Sequence, residues 1–227
     1  MNIDGQAWRT IWLEADQRSV GVIDQTLLPH RLITRTLTRC DQAADAISTM
    51  VVRGAPLIGV TGAYGLMLAL QDDASDAGLS QAFDQLNASR PTAVNLRWAL
   101  ERVRDLVQPL PQGERAAAAR REAALIADED VAMCEAIGAH GFDLFRTLAE
   151  QRPSARQNDP FHVLTHCNAG WLATVDWGTA LAPIYKAHRA GLNIHVWVDE
   201  TRPRNQGASL TAYELAREGV QIGRAHV

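Results

Sequence analysis

Lysine and cysteine are scarce in this chain of 227 residues, and long apolar runs are missing. Lys186 is the only lysine, and the net charge of −4 argues against a nucleic-acid-binding protein. Three scattered cysteines are too few for a disulfide framework. The sequence contains no run of 18 apolar residues, so it predicts no membrane-spanning helix and no membrane partner. Residues 1–18 are polar and show no secretory signal, which favours a cytoplasmic location.

Hydrophobic periodicity predicts an α/β protein in two parts. Residues 1–150 are predicted to form a small N-terminal α+β domain, with a β-hairpin over Ala7–Leu13 and Arg18–Asp24 and a further strand over Leu32–Leu37. The predicted helices of this part are Asp41–Met50 with Asp41 as its cap, Pro56–Gln71, Ser80–Ser89, Thr92–Val107, and Glu114–Leu148 with possible breaks at Gly138 and Gly141.

The second predicted part, residues 151–221, alternates strands with helices. After a polar linker over Glu150–Pro160, the pattern predicts in turn strand Phe161–Thr165, helix Gly178–Ala190, strand Asn193–Val198, helix Ser209–Glu218 and a third strand beginning at Val220. Such alternation is typical of a parallel sheet with right-handed crossovers. We therefore expect an incomplete Rossmann-like parallel-sheet domain.

The last six residues, 222–227, read as foreign to the protein. Ile222-Gly-Arg-Ala-His-Val227 can be encoded by ATC GGA AGA GCA CAC GTC, which matches a widely used short-read sequencing adapter. We expect this tail to be an adapter artefact that contributes nothing specific, and the natural protein to continue. The unfinished parallel sheet would then lack strands, so the chain alone is expected to fold poorly.

Two arginines precede predicted helix starts. One helix start, at Pro56, directly follows Arg53, Gly54 and Ala55. The other arginine is Arg90, which comes directly before Pro91. Free N–H groups and the dipole at a helix N-terminus favour an anion, and arginine adds a charge-assisted clamp. The pattern is compatible with a phosphate site, although a glycine turn before a helix more often reflects plain helix-entry architecture.

Two loops follow predicted strands and carry polar side chains. Cys167 ends one strand and is compatible with a nucleophile, an acid–base group, a polar wall or inert packing. Gln206 lies in the loop after the next strand, where it could bind sugar hydroxyls or phosphate, or serve the turn. His162 and His166 lie roughly 13 Å apart on a strand, which excludes metal chelation by the pair.

Five segments in order along residues 1–221 resemble the methylthioribose-1-phosphate isomerase family of methionine salvage. They are Arg53-Gly-Ala-Pro56, Arg90-Pro-Thr-Ala-Val-Asn-Leu96, Thr165-His-Cys-Asn-Ala-Gly170, Glu200-Thr-Arg-Pro-Arg-Asn-Gln-Gly207 and Leu210-Thr-Ala-Tyr-Glu-Leu215. The wider superfamily includes ribose-1,5-bisphosphate isomerases and regulatory subunits of the translation-initiation guanine-nucleotide exchange factor.

The resemblance implies a homodimeric aldose–ketose isomerase of a sugar phosphate that needs no cofactor. It assigns substrate binding to Arg53, Gly54, Ala55, Arg90 and Gln206, and transition-state stabilisation to Cys167. The family's acid, an aspartate of a later strand loop, has no counterpart in this chain and would lie after residue 221. The chain alone is therefore expected to be inactive.

Two alternatives stay open beside this reading. A ribose-1,5-bisphosphate isomerase would need a basic pocket around the sugar's 5-substituent, where the methylthio group needs an apolar one. A non-enzymatic regulatory subunit would bind partner proteins or nucleotide sugars, although Cys167 together with both arginine motifs argues against it.

Overall fold

The computed structural model describes residues 1–3, 5–153 and 159–224. It confirms the α/β class and divides the chain into two compact units, one of Thr10–Asp130 and one of Met1–Arg9 with Val131–Val227. This division differs from the predicted boundary at residue 150, because helix α5 (Gln112–Glu150) contributes to both units. No helix in the described residues combines the length and apolarity needed to cross a bilayer.

The extreme N-terminus belongs to the second unit. Strands β1 (Asn2–Ile3) and β2 (Gln6–Ala7) form a small antiparallel pair. The Met1 amino group lies 2.5 Å from Asp176 Oδ1. The Asn2 N–H donates to the Glu218 side chain at 2.9 Å. These long-range contacts explain why the first nine residues group with the C-terminal part of the chain.

The first unit begins with the predicted hairpin. Strands β3 (Ile11–Leu13), β4 (Val20–Ile23) and β5 (Thr34–Leu37) form an antiparallel sheet in that order. The hairpin and third strand are thus confirmed with shorter strands. Every residue of β4 is buried, as befits the central strand.

Helices α1 (Cys40–Ser48), α2 (Ala55–Asp72), α3 (Asp76–Ser89) and α4 (Val94–Val107) complete this unit together with the start of α5. The central helix is α2, which is buried over most of its length. Three of its glycines let neighbouring helices approach closely: a Cβ at Gly59, Gly62 or Gly65 would lie within 3 Å of α4 or α3 atoms.

Asp41 is not the cap of α1, contrary to the sequence prediction. The helix begins one residue earlier, with Arg39 as its N-cap. Gln42 does the capping instead, because its side-chain oxygen accepts the N–H groups of Thr38 and Arg39. Asp41 lies inside the first turn and pairs with Arg39 at 2.6 Å.

The second unit contains the predicted parallel sheet. Strands β6 (Phe161–His166), β7 (Ile194–Asp199) and β8 (Gln221–Arg224) are ordered β6-β7-β8 and all run parallel. Helix α6 (Ala182–Arg189) joins the first two strands, and α7 (Ala212–Arg217) joins the last two. The carboxyl ends of the strands therefore meet at one edge.

Part of the tail that is expected to contribute nothing specific lies in the parallel sheet. Ile222 and Gly223 pair with Val196 and Trp197 in the ladder between β8 and β7. A strand ladder uses backbone N–H and C=O groups, so it places few demands on which residues supply them. Residues 225–227 of the predicted artefact lie outside the described residues.

Helix α5 runs through Gly138 and Gly141, where the sequence suggested breaks. A Cβ at Gly141 would lie 2.3 Å from the ring of Pro183, and one at Gly138 would lie 3.0 Å from Ala182. These glycines therefore allow α6 to pack against α5, and they do not interrupt the helix.

Candidate active site

Cys167 stands directly after β6 at the carboxyl edge of the parallel sheet. Its backbone is left-handed, with φ of 59°, which is uncommon for a residue with a Cβ. Strained backbone of this kind concentrates at functional sites, where surrounding contacts hold it. The thiol is half-buried and is not part of a disulfide.

Gln206 stands in the loop after β7, and a carboxylate holds that loop in place. Glu200 accepts the N–H groups of Thr201, Gly207 and Ala208 at 2.7–2.9 Å. Asn205, just before Gln206, is also left-handed with φ of 49°. The chain then forms a π-helical turn over Gly207–Thr211, a distortion frequent at functional sites, before α7 begins.

The structure brings two predicted site residues together. The Cys167 Sγ lies 3.5 Å from Gln206 Oε1, in position to donate a hydrogen bond across 39 residues of sequence. The contact arises because β6 and β7 are adjacent and parallel, with His166 paired to Asp199 at their ends. A thiol and a carboxamide thus share the edge where open α/β sheets bind ligands.

Glu214 of α7 is a buried carboxylate that the sequence analysis did not single out. It accepts hydrogen bonds from the Asn168 side chain at 2.7 Å, from Tyr185 Oη at 2.8 Å and from the N–H groups of Trp171 and Leu172 at 2.8 and 3.2 Å. An acidic residue on the buried face of an amphipathic helix was the available signal, because buried carboxylates are rare unless partnered.

Opposing effects set the charge of Glu214. Burial raises the pKa of this carboxyl to about 7, against the lowering effect of its four hydrogen-bond donors. Burial, followed by the charge of Glu214, also raises the pKa of Tyr185 well above its ordinary value. Tyr185 therefore remains a protonated donor to the carboxylate.

His166 and Asp199 form a second pair that sequence reasoning missed. The His166 Nδ1 lies 2.8 Å from Asp199 Oδ2, and the histidine side chain is 64% exposed. The hydrogen bond from His166 lowers the pKa of Asp199, against an opposing effect of desolvation. Only the register of the parallel strands reveals this pairing, and the sequence does not specify that register.

The predicted anion-binding residues lie in the unit of residues 10–130. Gly54 is the N-cap of α2 with φ of 92°, a conformation that favours glycine, and Ala55 and Pro56 begin the helix. Arg53 is buried. The predicted relation of Arg53 to a helix start is thus confirmed, while its role in binding stays a prediction.

Arg90 has a different local setting from the one predicted. It is the C-cap of α3, and α4 begins at Val94, later than the sequence suggested. Its Nη1 is buried and has no hydrogen-bond partner within the described part of the chain. A buried guanidinium nitrogen with donors to spare is compatible with an anionic ligand.

The described residues contain no group of three or more His, Cys, Asp or Glu side chains placed to hold a metal ion. His162, which the strand spacing excludes from chelating a metal together with His166, accepts a hydrogen bond from Trp197 Nε1 at 3.1 Å. Both His162 and His166 lie on β6, in agreement with the predicted strand.

The chain is similar to curated proteins named methylthioribose-1-phosphate isomerase. It is 59% identical to the one from Rhodospirillum centenum over 97% of this chain and 58% of the relative. Identity is 60% to the protein of Methylorubrum extorquens, over 97% of this chain and 59% of the relative. Identity is 54% to the protein of Escherichia coli O45:K1, over 97% of this chain and 58% of the relative. The chain therefore spans a little under three-fifths of the length of these relatives.

Solved structures give the same fold. The translation initiation factor eIF-2B, subunit delta, from A. fulgidus superposes with a TM-score of 0.81 and 37% identity, covering 96% of this chain and 62% of that one. The 5-methylthioribose 1-phosphate isomerase from Pyrococcus horikoshii OT3 also gives 0.81, with 36% identity and coverage of 97% and 60%. The profile of the Initiation factor 2 subunit family matches residues 51–223. This match spans most of the chain, which belongs to the initiation factor 2 subunit family.

Proposed function

We propose that this chain carries the thiol and the phosphate-binding arginines of an enzyme that interconverts 5-methylthioribose 1-phosphate and 5-methylthioribulose 1-phosphate. The contact between Cys167 and Gln206 at the carboxyl edge of the sheet is the observation that carries the proposal. Relatives of this name that are 54–60% identical across the shared region support it.

The chemistry defines what such a site must supply. The phosphate on C1 locks the sugar as a cyclic acetal, so the ring oxygen must take a proton as its bond to C1 breaks. One hydrogen then leaves C2 and one arrives at C1. The C2 hydroxyl also loses its proton, which balances the proton taken by the ring oxygen and turns the C2 alcohol into a ketone. Substrate and product are isomers, so the overall step neither gains nor loses electrons.

The roles follow the family resemblance, which assigns substrate binding to the arginines and transition-state stabilisation to the thiol. Arg53 and Arg90 hold the phosphate, since guanidinium groups match its oxygens in geometry and charge. Cys167, with Gln206 orienting its Sγ–H, stabilises the charge that develops near C1 and C2. The acid for the ring oxygen is the aspartate that the family resemblance places beyond residue 221.

A second candidate is a regulatory subunit without catalysis. It is favoured by the eIF-2B subunit from A. fulgidus, whose TM-score of 0.81 equals that of the isomerase from Pyrococcus horikoshii. Turnover separates the two functions, because a regulatory subunit would bind partner proteins or nucleotide sugars and would not convert a sugar phosphate.

The test uses a completed chain, in which the 227 residues are joined to the remaining sequence of the Rhodospirillum centenum relative. It is assayed by proton NMR with 5-methylthioribose 1-phosphate and, separately, with ribose 1,5-bisphosphate. We expect a ketose product from the first sugar and a much slower reaction with the second. Preference for the bisphosphate would shift the assignment to that isomerase, and no product from either would favour the regulatory subunit.

A further inference from the structure

We propose that Glu214 is a positioning residue, which holds Cys167 in its working geometry through Asn168 and through the peptide N–H groups of Trp171 and Leu172. Residues 167–172 form the Cys167 loop. The catalytic consequence rests on the proposed function, whereas the structural effect on Cys167 does not.

The Glu214 carboxylate bonds the Cys167 loop with both of its oxygens. Oε1 accepts from Asn168 Nδ2 at 2.7 Å and from Leu172 N at 3.2 Å, while Oε2 accepts from Trp171 N at 2.8 Å. Glu214 is fully buried, so water does not compete for these oxygens. Three of its four donors thus come from the five residues that follow Cys167.

The loop is shaped to admit this carboxylate. A Cβ at Gly170 would lie 1.9 Å from Glu214 Oε2, so only glycine leaves room for the oxygen. Gly178, with φ of 77°, packs its backbone against Gly170 from another segment. Gly170 is therefore a docking position for Glu214.

A second link from the same helical segment reaches Cys167 itself. Thr211 Oγ1 donates to the Cys167 carbonyl at 2.5 Å and accepts from Asn168 Nδ2 at 3.1 Å. Asn168 Nδ2 thus bridges Thr211 and Glu214 directly beside the thiol residue. The left-handed backbone of Cys167 is unfavourable for a residue with a Cβ and persists only where neighbours hold it. These contacts supply that restraint.

The first readout is the alkylation rate of Cys167 by iodoacetamide in the completed chain, resolved by peptide mass spectrometry. In Glu214→Gln the shape is kept, but an NH2 group replaces one oxygen and faces two N–H or O–H donors. We expect Cys167 to react about tenfold faster, the factor for losing one charge-assisted hydrogen bond that restrains the loop. Cys40 and Cys134 in the same sample serve as internal references.

The matched control is Glu218→Gln. Glu218 is a nearly buried carboxylate close to the end of α7 that pairs with Arg189 at 2.8 Å and accepts the Asn2 N–H at 2.9 Å. Glu218→Gln should leave the alkylation rate of Cys167 unchanged. An equal rise in both variants would mean general loosening and would overturn the proposal. The proposal is also overturned if Glu214→Gln folds and Cys167 is alkylated within about twofold of the wild-type rate, because loss of the hydrogen bond predicts a larger increase in that rate.

A milder variant decides the question if Glu214→Gln does not fold. Asn168→Ser removes the side-chain link and leaves Glu214 with its other three donors. We expect a smaller rise in the alkylation of Cys167, in the same direction. An unchanged rate in this variant would likewise overturn the proposal.

Steady-state kinetics give the second readout. In the completed chain, Glu214→Gln should lower kcat by about tenfold or more with little change in KM, because it displaces the thiol and leaves the arginines untouched. A changed alkylation rate in a protein without isomerase activity would refute the proposed function and leave the positioning role intact. Unchanged alkylation with normal kcat would refute the positioning role alone.

Discussion

At the scale of single residues, Cys167 and Gln206 meet because each lies in a loop at the end of a parallel strand and a carboxylate holds each loop. Glu200 binds the N–H groups around Gln206, and Glu214 binds those after Cys167. The strand-end position of the thiol could be predicted from the sequence. The contacts of the two carboxylates could not be predicted, because their partners are mostly backbone groups that no motif displays.

Replacing Cys167 tests whether the thiol acts in the chemical step. Cys167→Ser nearly preserves size, so we expect the fold to survive and kcat to fall by on the order of 10², the scale of a lost transition-state contact. Cys40→Ser is the matched control, since burial raises the pKa of Cys40 to about 11 and keeps that thiol protonated. A near-normal kcat in Cys167→Ser would make Cys167 a packing residue.

Replacing Arg90 tests the phosphate site. Arg90→Ala should raise KM by about 30-fold or more, because truncating one partner of a buried charge pair costs roughly 2–5 kcal/mol. Arg97→Ala is the control, because Arg97 is an exposed arginine of α4 whose side chain pairs with Glu101. Isothermal titration with inorganic phosphate provides a check without turnover, and equal affinity in both variants would remove Arg90 from the site.

At the scale of elements, the alternation of strands and helices after residue 160 was predictable, because apolar strands and amphipathic helices have distinct periods. The sequence predicts the start of α6 at Gly178, which is too early. A 3-10 turn over Trp171–Ala173 and the left-handed Gly178 precede α6, which begins only at Ala182. Its start depends on the docking of the Cys167 loop, which is a tertiary effect. The glycines of α5 were likewise misread because their role is contact with α6.

Two glycines of α5 should respond oppositely to the same change. Gly141→Ala puts a methyl group onto the rigid ring of Pro183, so we expect a loss of about 1–3 kcal/mol in unfolding free energy. Gly113→Ala meets no atom within 4 Å, so the helix propensity of alanine should stabilise by up to about 1 kcal/mol. Thermal melts of both variants measure these changes. Stabilisation by Gly141→Ala would show that α6 does not pack closely against this position.

At the scale of the whole molecule, Glu214 makes stability depend on pH. The folded state holds its proton more tightly than the unfolded chain, since its pKa rises from 4.5 to about 7. Its contribution is therefore fully present below pH 4.5 and is lost as pH rises through 7. One pKa unit corresponds to roughly 1.4 kcal/mol, so the shift of Glu214 changes the free energy of unfolding by about 3 kcal/mol across this pH range.

Urea unfolding of the completed chain across this range measures the effect. Glu214→Gln should flatten the decline between pH 4.5 and 7, because glutamine does not titrate. Tyr185 stays protonated throughout, and the ion pair of Glu218 with Arg189 remains in both proteins. A decline of equal slope in the variant would assign the pH dependence to other groups.

The activity expected of this chain depends on how much of its relatives' length it spans. It spans 58% of the Rhodospirillum centenum relative, and the family resemblance places the catalytic aspartate after residue 221. We expect no turnover from residues 1–227 alone and turnover from the completed chain. Product formation by the 227 residues themselves would show that the acid lies within them.

The most direct test of the central claim is ketose formation from 5-methylthioribose 1-phosphate by the completed chain after treatment with a chelator. The account predicts conversion to 5-methylthioribulose 1-phosphate with no added metal or nucleotide, followed over time by proton NMR. A completed chain that melts cooperatively, binds phosphate and yet forms no ketose would contradict it.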